Sequence, residues 1–253
     1  MRGRHRHAQR LVPPQTRGSR GDEARREGRA DEAAPLLALA AAHDPGSVPV
    51  RESLVELALA RGDVEGAARA LSDLLAVAGA REPVGFRLTG KVEEALGRDE
   101  LAVTAYRAAL RLDRHDDVTR LRLARLLARR GLHAEAEVAL EALASTEAVR
   151  VRAVCLAARG ATLSAEEAWW SVLRDDVDAP DALGAILRAR LERDDVAGLA
   201  RLWEEVHRRL ADDPRAPCLQ SLTTGDFATI TADLHAPSAP RRVRAALGVP
   251  VFP

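Results

Sequence analysis

PVGFRLTGKVEEALGRDELAVTAYRAALRLDRHD, residues 83–116, decides how the rest of the chain reads. Pro83 opens it as a helix breaker. Gly97 lies near its centre, followed by Ala102, Tyr106 and Ala109. The same phrase occurs as Gly28, Ala33, Leu37 and Ala40, as Gly62, Ala67, Leu71 and Leu74, and as Gly131, Ala136, Leu140 and Leu143. The four glycines are separated by 34, 35 and 34 residues. Small and large apolar residues returning in register at that period signal a stack of helical hairpins.

Each position has a mechanical reading. The glycine closes the turn between the first helix of a hairpin (A) and the second (B), where a left-handed backbone is cheap only without a side chain. The alanine lets the two helices approach closely. The larger residue, one helical turn further on the same face, fills the space beside that contact. Pro45 and Pro83 then separate one hairpin from the next.

The pattern resembles the tetratricopeptide repeat (TPR) family, whose unit is a helix–turn–helix of about 34 residues. Phe86, Thr89 and Gly90 stand where that family carries a large residue, an apolar residue and a glycine in helix A, so residues 83–116 match best. The first unit keeps helix B and Pro45, but residues 14–21 hold Pro14, Gly18 and Gly21 and almost nothing apolar. Gly160 arrives only 29 residues after Gly131, and there Ala168, Val172 and Pro180 fit the pattern better than Ala165 and Trp169. The last unit has Asp194 at the turn, with Leu199 and Trp203 in helix B. The resemblance covers residues 21–214 and is specific over 28–143. It implies an all-α fold, a right-handed α-solenoid of about six TPR-like hairpins near 21–44, 48–80, 83–114, 117–145, 148–178 and 180–212.

Composition agrees. Alanine, leucine and arginine dominate, aromatics make up only 3%, and no stretch alternates with period two, which suits helices and excludes strands. The absence of asparagine and the single lysine, Lys91, read as the mark of a GC-rich bacterial genome. A formal net charge of zero gives no overall bias toward nucleic acid or anionic membrane. Cys155 and Cys218 lie far apart without a CxxC motif, which argues against zinc and a disulfide framework and suits a reducing cytoplasm. The longest apolar run, Ala33–Ala42, is too short to cross a membrane and reads as a B helix. The basic N-terminus lacks the apolar stretch of a secretory signal.

Residues 1–20 read as a disordered, arginine-rich tail that serves solubility, and phosphate contact by it is the less favoured alternative. Residues 21–214 form the repeat array. Residues 215–253 read as a C-terminal capping hairpin and tail, since an array must cover its last apolar face. Asp31, Asp99 and Ser164 are candidate N-caps of B helices.

Catalytic and metal motifs do not hold up. Gly85–Lys91 comes near a phosphate loop, but Val92 stands where the magnesium-binding hydroxyl belongs and no strand precedes it. His5 and His7 have no carboxylate or thiol partner nearby. Cys155 reads as a core thiol. Asp175, Asp176, Asp178 and Asp181 lack the glycine and glutamate of a calcium loop and read as a solvated linker. Trp169 and Trp170 cannot share one helical face, so one is core and the other is available to a partner. No enzyme activity, cofactor or metal is expected.

The family resemblance further implies a concave surface lined by A helices. Glu52 and Glu56, Arg87, Lys91 and Glu94, then Arg125 and Arg129 occupy the lining positions, with Arg150 and Arg188 later. The middle of the groove therefore reads as basic, with Arg87, Lys91, Arg125, Arg129 and Arg188 as partner-binding candidates. Lacking asparagine, the chain cannot form the family's usual chaperone-tail clamp. These readings converge on a cytoplasmic, non-catalytic protein–protein interaction scaffold. It would take an acidic segment of another protein, with no small-molecule substrate, nucleic acid or membrane span. The alternative is a TPR-like module of a transcriptional or signalling regulator.

Overall fold

The computed structural model describes residues 14–79, 82–176, 179–193 and 195. Among these, the regular structure is entirely helical. The helices are α1 (Pro14–Arg26), α2 (Ala30–His43), α3 (Val48–Ala60), α4 (Val64–Ala78), α5 (Pro83–Ala95), α6 (Asp99–Leu112), α7 (Asp117–Arg129), α8 (His133–Leu140), α9 (Thr146–Ala158), α10 (Thr162–Asp175) and α11 (Pro180–Glu192). Odd-numbered helices are A helices and even-numbered ones are B helices. The turn glycines Gly28, Gly62, Gly97, Gly131 and Gly160 all have φ between +71° and +79°. That conformation strains any residue with a Cβ, which is why glycine marks the period.

The chain divides into two compact units, residues 1–123 and 124–253, with the boundary inside α7. In the first unit α1 packs on α2, α3 on α4 and α5 on α6. Neighbouring hairpins meet through α2 with α3 and α4 with α5, and α3 also touches α1 and α5. The A helices therefore run beside one another. In the second unit α9 packs on both α8 and α10, and α10 packs on α11.

The repeat register is the core register. Ala33, Ala67, Ala102, Ala136 and Ala165 are buried, as are Leu37, Leu71, Tyr106, Leu140 and Trp169. Seven residues before each turn glycine, helix A carries Gly21, Val55, Gly90, Ala124 and Ala153, also buried. Where the B-helix residue is largest, the A-helix residue is small: a Cβ on Gly90 would come within 2.4 Å of the Tyr106 ring. Close packing, in which interiors leave no room for an extra methyl, dictates this pairing.

Four sequence expectations are corrected. Helix α1 starts at Pro14, so residues 14–20 belong to the first hairpin and not to the tail. Its glycines are contact points: a Cβ on Gly18 would lie 3.3 Å from Val50, and one on Gly21 would lie 2.9 Å from Leu37. Asp31, Asp99 and Ser164 are not N-caps but first-turn residues; the N-caps are Arg29, Arg98 and Ala161. The two acids there favour the positive end of the helix dipole without capping it. In the hairpin around Gly160, Ala165 and Trp169 are buried while Ala168 is only half-buried, so the original register persists. The 29-residue spacing arises because α8 has only 8 residues. Finally, the acidic linker after α10 is engaged by an arginine, as described below.

The capping hairpin and tail expected over 215–253 lie outside the described residues, as do residues 1–13, Asp178, Asp194, Leu199, Trp203 and Cys218.

Candidate interaction groove

The near-phosphate-loop run Gly85–Lys91 lies wholly within α5. Gly85 and Gly90 are buried, and the Thr89 hydroxyl donates to the Gly85 carbonyl at 2.8 Å. A helical backbone spends its N–H groups on itself, so no anion cradle exists there.

In the first unit, side chains of four A helices converge on a cavity of about 440 Å³. Arg25 of α1, Glu56 of α3, Lys91 and Glu94 of α5 and Arg122 of α7 line it, over an apolar floor that includes Leu59. A larger cavity of about 830 Å³ opens between α1, α2 and α3, edged by Asp22, His43 and Glu52.

Of the expected cations, Arg87, Lys91 and Arg125 each face an acid. Arg87 pairs with Glu52, and its Nη1 lies 3.8 Å from Asp116. Lys91, only 11% exposed, pairs with Glu56. Both acids sit 35 residues earlier, one repeat back on the neighbouring A helix. The Tyr106 hydroxyl donates to Glu94 at 2.8 Å. Burial, and then the Glu94 charge, push that phenol well above its ordinary value, so it stays a donor. At the α1 end, Ser53 donates to Asp22 at 2.9 Å and Arg25 does so at 2.7 Å. Burial raises the Asp22 carboxyl, but these bonds outweigh it and hold it below the ordinary aspartate value. The groove of the first unit is thus a ladder of opposed charges, not a bare basic strip.

In the second unit, Arg125 of α7 pairs with Glu147. Arg129 on α7 and Arg188 on α11 are exposed. Arg150 donates to Asp176 and to Asp181, both at 2.7 Å, so these acids hold α9 to the start of α11. Glu166, almost buried, accepts from Arg190 and Arg193. Burial pushes its carboxyl up, but the two guanidinium groups win and hold it below the ordinary glutamate value. The sequence reading missed this clamp; its only signal is an acid one residue after the buried Ala165. Trp169 is core, and Trp170 packs half-buried against the same cluster. Cys155 is buried in the core, and that burial pushes its thiol up. Among the described residues no helix is long and apolar enough to cross a membrane, and no group of three or more metal-ligating side chains comes together.

Residues 24–85 match the family model of the tetratricopeptide repeat. No curated protein sequence matches the chain. Among solved structures, a thermophilic TPR protein of Thermus thermophilus is 21% identical, with a TM-score of 0.58 over 71% of this chain and 100% of that one. PilW, a widely conserved type IV pilus biogenesis factor, is 14% identical, with a TM-score of 0.67 over 83% of this chain and 98% of its own. The C-terminal part of a TPR repeat-containing protein from Cytophaga hutchinsonii is 16% identical, with a TM-score of 0.64 over 90% and 92%. The fold of this chain is the all-α TPR solenoid fold, and proteins of that fold commonly mediate protein–protein interaction.

Proposed function

We propose that this array of TPR-type hairpins is a non-catalytic scaffold that holds a segment of another protein against its A helices. The observation that carries this reading is the cavity on which α1, α3, α5 and α7 all present side chains within the first unit. A rigid surface built from several repeats binds an extended segment without ordering itself first. Its lining suits recognition: Lys91 pairs with Glu56, Glu94 accepts from Tyr106, and none of the lining groups is arranged as a nucleophile with its base.

The partner segment is acidic in this reading. A carboxylate entering the groove exchanges with Glu52 or Glu56 for Arg87 and Lys91. Arg87 still has a donor to give, because its Nε is buried without a hydrogen-bond partner. Exchange of one carboxylate for another keeps the charge-assisted bonds intact. Arg125, Arg129 and Arg188 are candidates of the same kind on the A helices of the second unit, and the scaffold is cytoplasmic.

The test is to identify the partner by pull-down and mass spectrometry, then measure its affinity for the double variant Arg87→Gln/Lys91→Gln. Neutral amides avoid setting new charges beside Glu52 and Glu56. The expected result is a folded protein, by circular dichroism, whose affinity falls at least about tenfold, or about 1.4 kcal/mol. Salt should weaken wild-type binding and barely affect the variant's residual binding. Full affinity in the folded variant would overturn the groove assignment.

A further inference from the structure

Tyr106 differs from its counterparts in the other hairpins. Leu37, Leu71, Leu140 and Trp169 stand at the same place in α2, α4, α8 and α10, and all are buried. Tyr106 is buried as well, but it brings a hydroxyl into the core. A buried hydroxyl needs a partner. This one finds it in the groove, donating from α6 to Glu94 of α5 at 2.8 Å. Arg122 of α7 hydrogen-bonds the same hydroxyl. Glu94, Arg122 and Lys91 all line the cavity of about 440 Å³. Two acids there compete for Lys91. Glu56 reaches it from α3, and Glu94 lies three residues further along α5, on the same helical face. The structure gives the lysine to Glu56, and the tyrosine engages Glu94.

We propose that Tyr106 is a positioning residue for the groove: its hydroxyl holds Glu94 off the cations that line the cavity and so leaves their remaining donors to a carboxylate of the partner segment. This rests on the acidic-segment reading above and adds the residue that keeps the site open. An ammonium has more donors than Glu56 can use, and a guanidinium more than one hydroxyl can use. A carboxylate already fixed to the cavity wall takes such donors without the entropy loss that an incoming segment suffers. One hydrogen bond can prevent this because its donor is held rigidly. The ring packs against Gly90, where a Cβ would come within 2.4 Å of it.

A fluorescein-labelled peptide of alternating glutamate and alanine, titrated with the full chain, reads the competition. Tyr106→Phe keeps the ring on Gly90, so the variant is expected to fold, and its affinity should drop at least about threefold. Adding Glu94→Gln to Tyr106→Phe should restore the affinity, because an amide does not compete as an anion for the cations. A hydroxyl that matters only for stability leaves the double variant as weak as the single one. That result overturns the proposal, as does a Tyr106→Phe variant that binds as tightly as wild type. A crystal structure of Tyr106→Phe supplies an arm that needs no peptide. Glu94 should there have turned onto Lys91 or Arg122, and a carboxylate that keeps its wild-type place overturns the proposal. A wild type that ignores the peptide overturns the acidic-segment reading instead, and the crystal structure then decides the role of Tyr106 by itself.

Discussion

In the first hairpin Gly21 of α1 faces Leu37 of α2; in the third, Gly90 of α5 faces Tyr106 of α6. A Cβ on Gly21 would meet Leu37 at 2.9 Å, and one on Gly90 would meet the tyrosine ring at 2.4 Å. The contact is the same, but the helices around it differ. Helix α5 also buries Leu88 and Val92, whereas among the described side chains of α1, from Gly18 on, Gly21 and Ala24 are the buried ones. Helix α1 is held instead by Asp22, which accepts from Ser53 of α3 and Arg25 of its own helix. An A helix in this array can therefore dock through the side chains it lacks. Its partner supplies the bulk, and a polar bond supplies part of the register.

The strongest test of that contrast removes the bulk. Tyr106→Ala leaves a cavity between α5 and α6 and should cost about 4 kcal/mol, against about 3 kcal/mol for Leu37→Ala. Tyr106 and Leu37 are both completely buried, so the difference tracks side-chain volume together with the Tyr106 hydrogen bond to Glu94, which only the first variant loses. Urea denaturation of both variants measures it. A larger loss for Leu37→Ala would mean that the first hairpin leans on this contact more than the third does.

Filling the glycines is the next test. Gly90→Ala drives a methyl into a rigid ring and should cost about 1–3 kcal/mol. Gly21→Ala meets Cγ and one Cδ of Leu37 at 2.9 Å and the Leu36 Cβ at 3.3 Å, an aliphatic contact that can yield further than a ring, while alanine returns about 1 kcal/mol of helix propensity. The two should nearly cancel, leaving the denaturation midpoint close to wild type. Equal losses at both sites would remove the distinction between a ring and a flexible side chain.

The same contrast explains what was legible in the sequence. The third hairpin could be read because its buried positions are large and its period is unbroken. Helix α1 could not, because its contact residues are glycines, and Gly18 and Gly21 read as breakers when nothing shows what lies against them. The fifth hairpin was misread by three residues because α8 is short, which moved Gly160 forward without altering the register after it. In the groove the cations were found by position. Their neutralisation was readable too: Glu52 and Arg87, like Glu56 and Lys91, lie one repeat apart, so stacking sets them side by side. The Glu166 clamp was not readable, because its partners Arg190 and Arg193 come from the end of the following A helix, where spacing alone names no contact.

The smallest expected effect concerns what the first and third hairpins lack in common. Both B helices start from an arginine, Arg29 or Arg98, with no side-chain cap. The second hairpin has Asp63 there, whose carboxylate accepts from the Gly66 N–H at 2.8 Å. The backbones are alike: φ and ψ are −81° and 81° at Asp63, −94° and 64° at Arg98, and −86° and 64° at Arg29. An oxygen-bearing side chain at either arginine therefore reaches the same N–H group. Asn is the better choice than Asp, since Asp99 and Glu100 already crowd the third site with negative charge. Arg98→Asn gives up only an exposed pair to Glu93 at 3.4 Å and should stabilise the chain by about 0.5–1 kcal/mol. Arg29→Asn gains the same bond but loses pairs to both Glu27 and Glu32, so its gain should be smaller. Asp63→Ala should lose about as much as Arg98→Asn gains. Thermal melts of the three variants at one ionic strength check the ordering. If Arg98→Asn does not raise the melting temperature, the caps are not equivalent, and the third hairpin takes nothing from its B-helix start that its core has not already supplied.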